Sequence, residues 1–153
     1  MKHAFYDSLC RQAEALLAGE DDLVAAMANF SALLNQNLED LNWVGFYVRR
    51  GDVLVLGPFQ GKVACTRIPW GKGVCGTAAA TDTTQRVMDV HQFDGHIACD
   101  AASNSEIVVP VRRDGEVVAV LDIDSPSFNR FDEEDQTGLE ALVRCFEKAL
   151  FAQ

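Results

Sequence analysis

Between His91 and Glu106 the chain reads His91-Gln-Phe-Asp-Gly-His96-Ile-Ala-Cys99-Asp100-Ala-Ala-Ser-Asn-Ser-Glu106, a stretch with two histidines, a cysteine and three carboxylates. It lacks the apolar period of a helix and is too small and polar for a core strand, so it reads as a loop. Loops that carry this much reactive chemistry commonly carry function. Cys99 is the leading nucleophile. Cys65 and Cys75 lie in a second irregular, glycine-punctuated segment, so three of the five cysteines sit outside the long helices. Cys10 and Cys145 instead adjoin helical apolar stripes, where a cysteine behaves as a small hydrophobe.

Three chemistries suit such a set. Cys65, Cys75, Cys99 and His96 have the ligand types of a zinc site, but there is no C-x-x-C, and no metal is assigned. A cysteine hydrolase would use His91 or His96 as base, yet no orienting partner pattern accompanies either. Thiol redox chemistry fits best, with an exposed loop cysteine attacking, a second loop cysteine resolving and a third in reserve. Cys75 falls near the start of a short helix expected over Val74–Ala80, where the helix dipole favours a thiolate.

Other side chains can serve such a site. On the strand Glu116–Ile123, period two puts Val117, Ala119, Leu121 and Ile123 on one face. Val118, Val120, Asp122 and Asp124 share the other, the two carboxylates about 7 Å apart. Solvated strand ends often carry Asp, but a pair pointing the same way can clamp an ammonium. Trp43, Gly45 and Tyr47 alternate with Val44, Phe46 and Val48, giving an aromatic floor with a gap over the glycine. That floor is either a second packed face or a wall for a small apolar ligand.

These groups need a scaffold. Residues 5–18 have a helical stripe of Tyr6, Leu9, Ala13, Leu16 and Leu17 ending near Gly19. Asp21 or Asp22 caps a second helix with Leu23, Met27, Phe30, Leu33, Leu34 and Leu38 on one side. Residues 41–48 and 53–56 form strands joined by a tight turn at Gly51. Val87–Val90 is a short strand, and Ile107–Arg112 and Glu116–Ile123 flank Asp114-Gly115, a strong hairpin signal. Asp132 caps a last helix carrying Leu139, Leu142, Val143, Phe146 and Leu150. This order gives an α+β fold, an antiparallel sheet with helices packed against it, as one domain over residues 1–153.

The bulk properties narrow the class. A net charge of −10 without a basic stripe argues against nucleic acid and anionic membranes as partners. No run of about 18 apolar residues occurs, nor the h-region of a signal peptide, so a cytoplasmic protein is expected. In that reducing compartment the cysteines read as thiols, ligands or redox catalysts rather than permanent staples.

Four stretches carry a family resemblance: Gly61-Lys-Val-Ala-Cys65-Thr-Arg-Ile-Pro, Gly71-Lys-Gly-Val-Cys75-Gly, His96-Ile-Ala-Cys99-Asp-Ala-Ala-Ser-Asn-Ser-Glu106-Ile-Val-Val-Pro and Val120-Leu-Asp122-Ile-Asp124-Ser-Pro. The chain resembles the free methionine-(R)-sulfoxide reductases, which are single GAF domains, over nearly its whole length. The resemblance implies that Cys99 attacks the sulfoxide sulfur, releases methionine and becomes a sulfenic acid. It implies that Cys65 resolves this as a disulfide, that thioredoxin reduces the disulfide, and that Cys75 is auxiliary. Glu106, Asp122 and Asp124 match the carboxylates that hold the substrate and protonate its oxygen, and Trp43 and Tyr47 the aromatic wall. It further implies no bound cofactor and a homodimer. The rival from another class is a GAF small-molecule or redox sensor without turnover.

The physics of the reaction agrees with those roles. A sulfoxide is a poor electrophile until its oxygen meets an acid. A buried carboxylate facing the ammonium of a free amino acid would select it over a residue in a peptide chain. Three clustered carboxylates raise at least one pKa, and the same field disfavours a nearby thiolate. One conflict remains at this level. A two-residue Asp114-Gly115 turn pairs Glu106 with Ile123, which points Glu106 away from Asp122 and Asp124. For all three to share a site the register must shift or a bulge must intervene, and Pro110 inside the first strand is a place that would suit one.

Overall fold

The computed structural model describes residues 2–95 and 102–152. Its elements run α1 (Lys2–Leu17), α2 (Leu23–Asn37), β1 (Trp43–Arg50), β2 (Val53–Gly61), β3 (Arg67–Pro69), α3 (Gly73–Thr81), β4 (Gln85–Val87), a 3-10 turn (Val90–Gln92), β5 (Ser105–Arg113), β6 (Glu116–Ser125) and α4 (Glu133–Phe151). Among the described residues six strands form one antiparallel sheet in the order β3-β2-β1-β6-β5-β4. Among the described residues no helix is long and apolar enough to cross a membrane.

Local signals account for most of these elements. The Asp22 carboxylate accepts from the Ala25 amide and starts α2. Asp132 does so for α4 through a reciprocal capping box with Asp135. Arg50 pairs with Val53 around Gly51-Asp52, and Arg113 with Glu116 around Asp114-Gly115, where Asp114 and both glycines take positive φ.

The sheet divides two cores. Helices α1, α2 and α4 cover one face, burying Leu9, Met27, Phe30, Leu34, Val44, Phe46, Leu121, Ile123, Leu142 and Phe146. Helix α3 covers the other, with Trp43, Tyr47, Leu54, Ile68, Cys75, Val108, Val117 and Val120. The alternation expected for β1 therefore holds.

Several expectations are corrected. Leu16 belongs to the expected stripe but is 42% exposed, because Leu9, Ala13 and Leu17 already fill the contact of α1. The short strand lies at Gln85–Val87 rather than Val87–Val90, and Val90 instead opens the 3-10 turn capped by Asp89. Strands β5 and β6 each extend beyond the expected ends, so Ser105 and Glu106 leave the presumed loop and join β5.

The most consequential correction is the register of β5 and β6. Arg112 pairs with Val117 but Val111 pairs with Ala119, which leaves Val118 as an extra residue on β6. The bulge thus sits at Val118 near the turn and not at Pro110, which pairs regularly with Val120. It also moves Val117 to the opposite face from Ala119, into the second core. Beyond it every pair shifts by one, and Glu106 faces Asp124.

A second irregularity lies between β1 and β2. Gly45 pairs with Phe59 and Tyr47 with Leu56, so Gly57 and Pro58 together oppose Phe46. Proline lacks a ladder donor, which is why it sits at such a break. The bulge brings Phe59 over Gly45, where an added Cβ would lie 2.3 Å from the Phe59 Cβ and also crowd its backbone. The expected gap above the glycine is therefore filled by Phe59.

Candidate functional site

The α3-covered face gathers most of the chemistry-bearing side chains. Strand pairing places Trp43, Asp124 and Glu106 in one row across β1, β6 and β5. The next row holds Gly45, Asp122 and Val108. Antiparallel partners project to the same side, so all three carboxylates converge there. Glu106 and Asp122 are only 7% and 5% exposed.

Cys75 closes the group from above. It stands in the first turn of α3, buried, with Sγ and one oxygen from each of Glu106 and Asp122 all within 4.8 Å of one another. Helix α3 can come this close to β3 because Gly76 has no side chain; a Cβ there would lie 2.5 Å from the Pro69 carbonyl.

Burial and mutual charge set the electrostatics. Burial, then the charges of Asp122 and Asp124 and hydrogen bonds to them, push the Glu106 carboxyl well above the usual range. The shift favours the protonated form of Glu106 over a wider pH range than an ordinary carboxyl. Burial followed by the charges of Asp122, Glu106 and Asp124 pushes the Cys75 thiol up as well. The expected thiolate is corrected on this point. The partial charge of a helix N-terminus is outweighed when the sulfur is buried against carboxylates. Tyr47 is raised by the same causes, burial first.

The aromatic wall has a second task. Trp43 stacks on Tyr47 with ring centroids 5.8 Å apart and on Phe59 at 5.1 Å. Trp43 Nε1 donates to the Lys62 carbonyl at 3.1 Å, and the Tyr47 hydroxyl donates to the Cys65 carbonyl at 2.9 Å. The wall thus pins the loop carrying Cys65 against the carboxylate face. The Cys65 sulfur is in a disulfide, so it offers no thiolate to the zinc set considered from sequence, whereas Cys10, Cys75 and Cys145 are free thiols.

Cys99, His96 and Asp100 lie outside the described residues. The chain on either side of them is anchored. Val90 N–H donates to the Asn104 carbonyl, and Asn104 N–H to the Ser125 carbonyl at 2.8 Å. The Asn104 side chain donates to the Pro126 carbonyl, and its Oδ1 is 2.9 Å from His91 Nε2. Asn42 donates to Ser103. His91 is thus exposed, with its ring engaged by Asn104.

Sequence reasoning passed over Phe59, Asn42, Ser103 and Asn104. Only Phe59 had a usable signal, the Gly57-Pro58 pair that marks a bulge within a strand.

The sequence and fold match known proteins. Residues 18–150 match the family model described as GAF domain. The free methionine-R-sulfoxide reductase of Escherichia coli is 58% identical over 149 residues, covering 97% of this chain and 90% of that protein. A Staphylococcus aureus fRMsr structure in complex with substrate shares 54% identity with a TM-score of 0.91, covering 95% of each chain. The free methionine-R-sulfoxide reductase of Neisseria meningitidis, in complex with its substrate, shares 46% identity with a TM-score of 0.93, covering 97% of this chain and 90% of that one. This chain therefore belongs to the GAF-domain family and, within it, to the free methionine-R-sulfoxide reductases.

Proposed function

We propose that the chain reduces free L-methionine (R)-sulfoxide to L-methionine, with Cys99 as nucleophile, Cys65 as resolving cysteine and thioredoxin as electron donor. The observation that carries this reading is the convergence of Glu106, Asp122 and Asp124 on the buried face lined by Trp43 and Tyr47. The relatives from Escherichia coli and Neisseria meningitidis bear the name of this activity, and the latter was solved with its substrate.

Each group has a task in the reaction. The substrate ammonium meets Asp122 and Asp124, and the aromatic wall receives the methyl-thioether end. Glu106, held protonated by its neighbours, donates to the sulfoxide oxygen and makes the sulfur electrophilic. The Cys99 sulfur then attacks, the oxygen leaves the substrate sulfur, and methionine departs while Cys99 holds the oxygen as a sulfenic acid. The Cys65 thiol displaces that oxygen as water and forms the Cys65–Cys99 disulfide. A thioredoxin dithiol exchanges with it and restores both thiols. The Tyr47 hydrogen bond to Cys65 supports this assignment, because it holds the resolving segment beside the carboxylates. Cys75, buried and raised, suits an auxiliary role better than first attack. We further place the protein in the cytoplasm as a homodimer acting without a bound cofactor.

The deciding experiment is thioredoxin-coupled NADPH oxidation with free methionine-(R)-sulfoxide, using the wild type and Cys99→Ser. Turnover by the first and none by the second supports the proposal. Binding without turnover by the wild type favours a GAF sensor, and full activity without Cys99 removes it as nucleophile.

A further inference from the structure

The face of the sheet opposite the carboxylates holds a second pair of sulfurs. Cys10 on α1 and Cys145 on α4 are 135 positions apart in sequence, yet their Sγ atoms are 3.2 Å apart. That is closer than two sulfurs in ordinary van der Waals contact, and an S–S bond of about 2.05 Å needs only a small further approach. Both are free, part-buried thiols. Helices α1 and α4 pack along each other, so the pair is held by two rigid elements rather than by a chance of loop position. Cys145 itself lines a cleft of about 490 Å³ together with Glu14, Leu17, Arg144 and Lys148, which gives a small oxidant a route to this member of the pair.

We propose that Cys10 and Cys145 are a second redox-active pair, oxidised by hydrogen peroxide to an intrachain disulfide that ties α1 to α4. One sulfur attacks a peroxide oxygen, the O–O bond breaks, and the products are a sulfenic acid and a water molecule. The neighbouring thiol then attacks the sulfenic sulfur, the S–S bond forms, and the oxygen leaves as a second water. The two thiols lose two electrons and two protons, and the peroxide takes both. Neither cysteine takes part in sulfoxide reduction, because the sheet separates them from the carboxylate face. Burial, with the adjoining Cys145, holds the Cys10 thiol up to about 12, so oxidation is slow at neutral pH and quickens as pH rises. Closing so long a loop restricts the unfolded chain strongly.

The test starts from fully reduced protein, treated with hydrogen peroxide, alkylated with iodoacetamide and digested without reduction for peptide mapping by mass spectrometry. The expected result is a Cys10–Cys145 cross-linked peptide from monomeric chain. It should come with a rise in Tm of roughly 10 °C that dithiothreitol reverses and that Cys10→Ala lacks. Cys10→Ala and Cys145→Ala should keep wild-type sulfoxide turnover. Recovery of both cysteines alkylated, of over-oxidised cysteines without a cross-link, or of a cross-link between two chains overturns the proposal. The mapping is done on the wild type and does not depend on a variant folding.

Discussion

Glu106 on β5 faces Asp124 on β6 as a direct antiparallel partner, one position away from where an uninterrupted hairpin would put it. The extra residue responsible, Val118, lies at the far end of the same two strands. Side chains alternate with period two, so one residue of slip moves a side chain to the opposite face of the sheet. The chemistry at one end of the strands thus depends on a backbone irregularity at the other.

Glu106 makes stability depend on pH. Its folded pKa is raised, so between the ordinary value of 4.5 and the folded value the native state binds more protons than the unfolded state. Stability is therefore highest below about 4.5 with respect to this group and declines as pH rises toward the folded pKa. Denaturant titrations from pH 4 to 8 should show this decline in the wild type. In Glu106→Gln the decline should be smaller and turnover should fall by roughly 100-fold or more, as expected when a general acid is removed.

Asp122 and Asp124 should govern choice of the free amino acid. Removing one charge from the clamp loses a charge-assisted hydrogen bond of about 1.5–3 kcal/mol. Asp124→Asn should accordingly raise KM for free methionine sulfoxide by roughly 10- to 100-fold. N-acetylmethionine sulfoxide, which lacks the ammonium, should be a poor substrate for the wild type and should be affected much less by the substitution. Equal losses on both substrates would remove the clamp from the account.

Tyr47→Phe keeps the ring and removes the donor to the Cys65 carbonyl. The stability cost should be about 1 kcal/mol. If Cys65 resolves the intermediate, its looser placement should slow that step more than the first. Dimedone labelling after a single turnover should then trap more sulfenic acid than in the wild type, with substrate affinity little changed.

Gly45→Ala tests the packing of the wall. An added methyl would overlap both the Cβ and the backbone of Phe59, and backbone cannot swing aside. The substitution should destabilise the protein by about 3 kcal/mol and weaken substrate binding through the displaced Phe59–Trp43 stack. Thermal melts and the KM of the folded fraction check both parts.

Ammonium binding should also relax the field at Cys75. The carboxylates that raise its thiol are the ones expected to meet the substrate, so bound methionine should lower the Cys75 pKa. The pH dependence of thiolate absorbance in a background with Cys10, Cys65, Cys99 and Cys145 all replaced by Ser or Ala, with and without methionine, measures this.

Much of this protein was legible in its residues because the signals involved are local. The Asp22 and Asp132 caps, the turns at Gly51-Asp52 and Asp114-Gly115, and the opposed faces of β1 follow from spacing within a few residues. The four motif stretches are enough to point to the family, and through it to the carboxylates and the aromatic wall as candidate site residues. Other features rest on contacts between distant segments, which no local pattern encodes. A bulge at Val118 rather than Pro110 is a property of two strands in register against packed faces, and it alone brought Glu106 to its partners. Phe59 filled the space over Gly45 because a break in β2 turned it inward. The direction of the Cys75 shift was set by burial and carboxylates from β5 and β6, against the local effect of its helix. Cys10 and Cys145 each read as isolated small hydrophobes, and only the packing of the first helix on the last brought their sulfurs together.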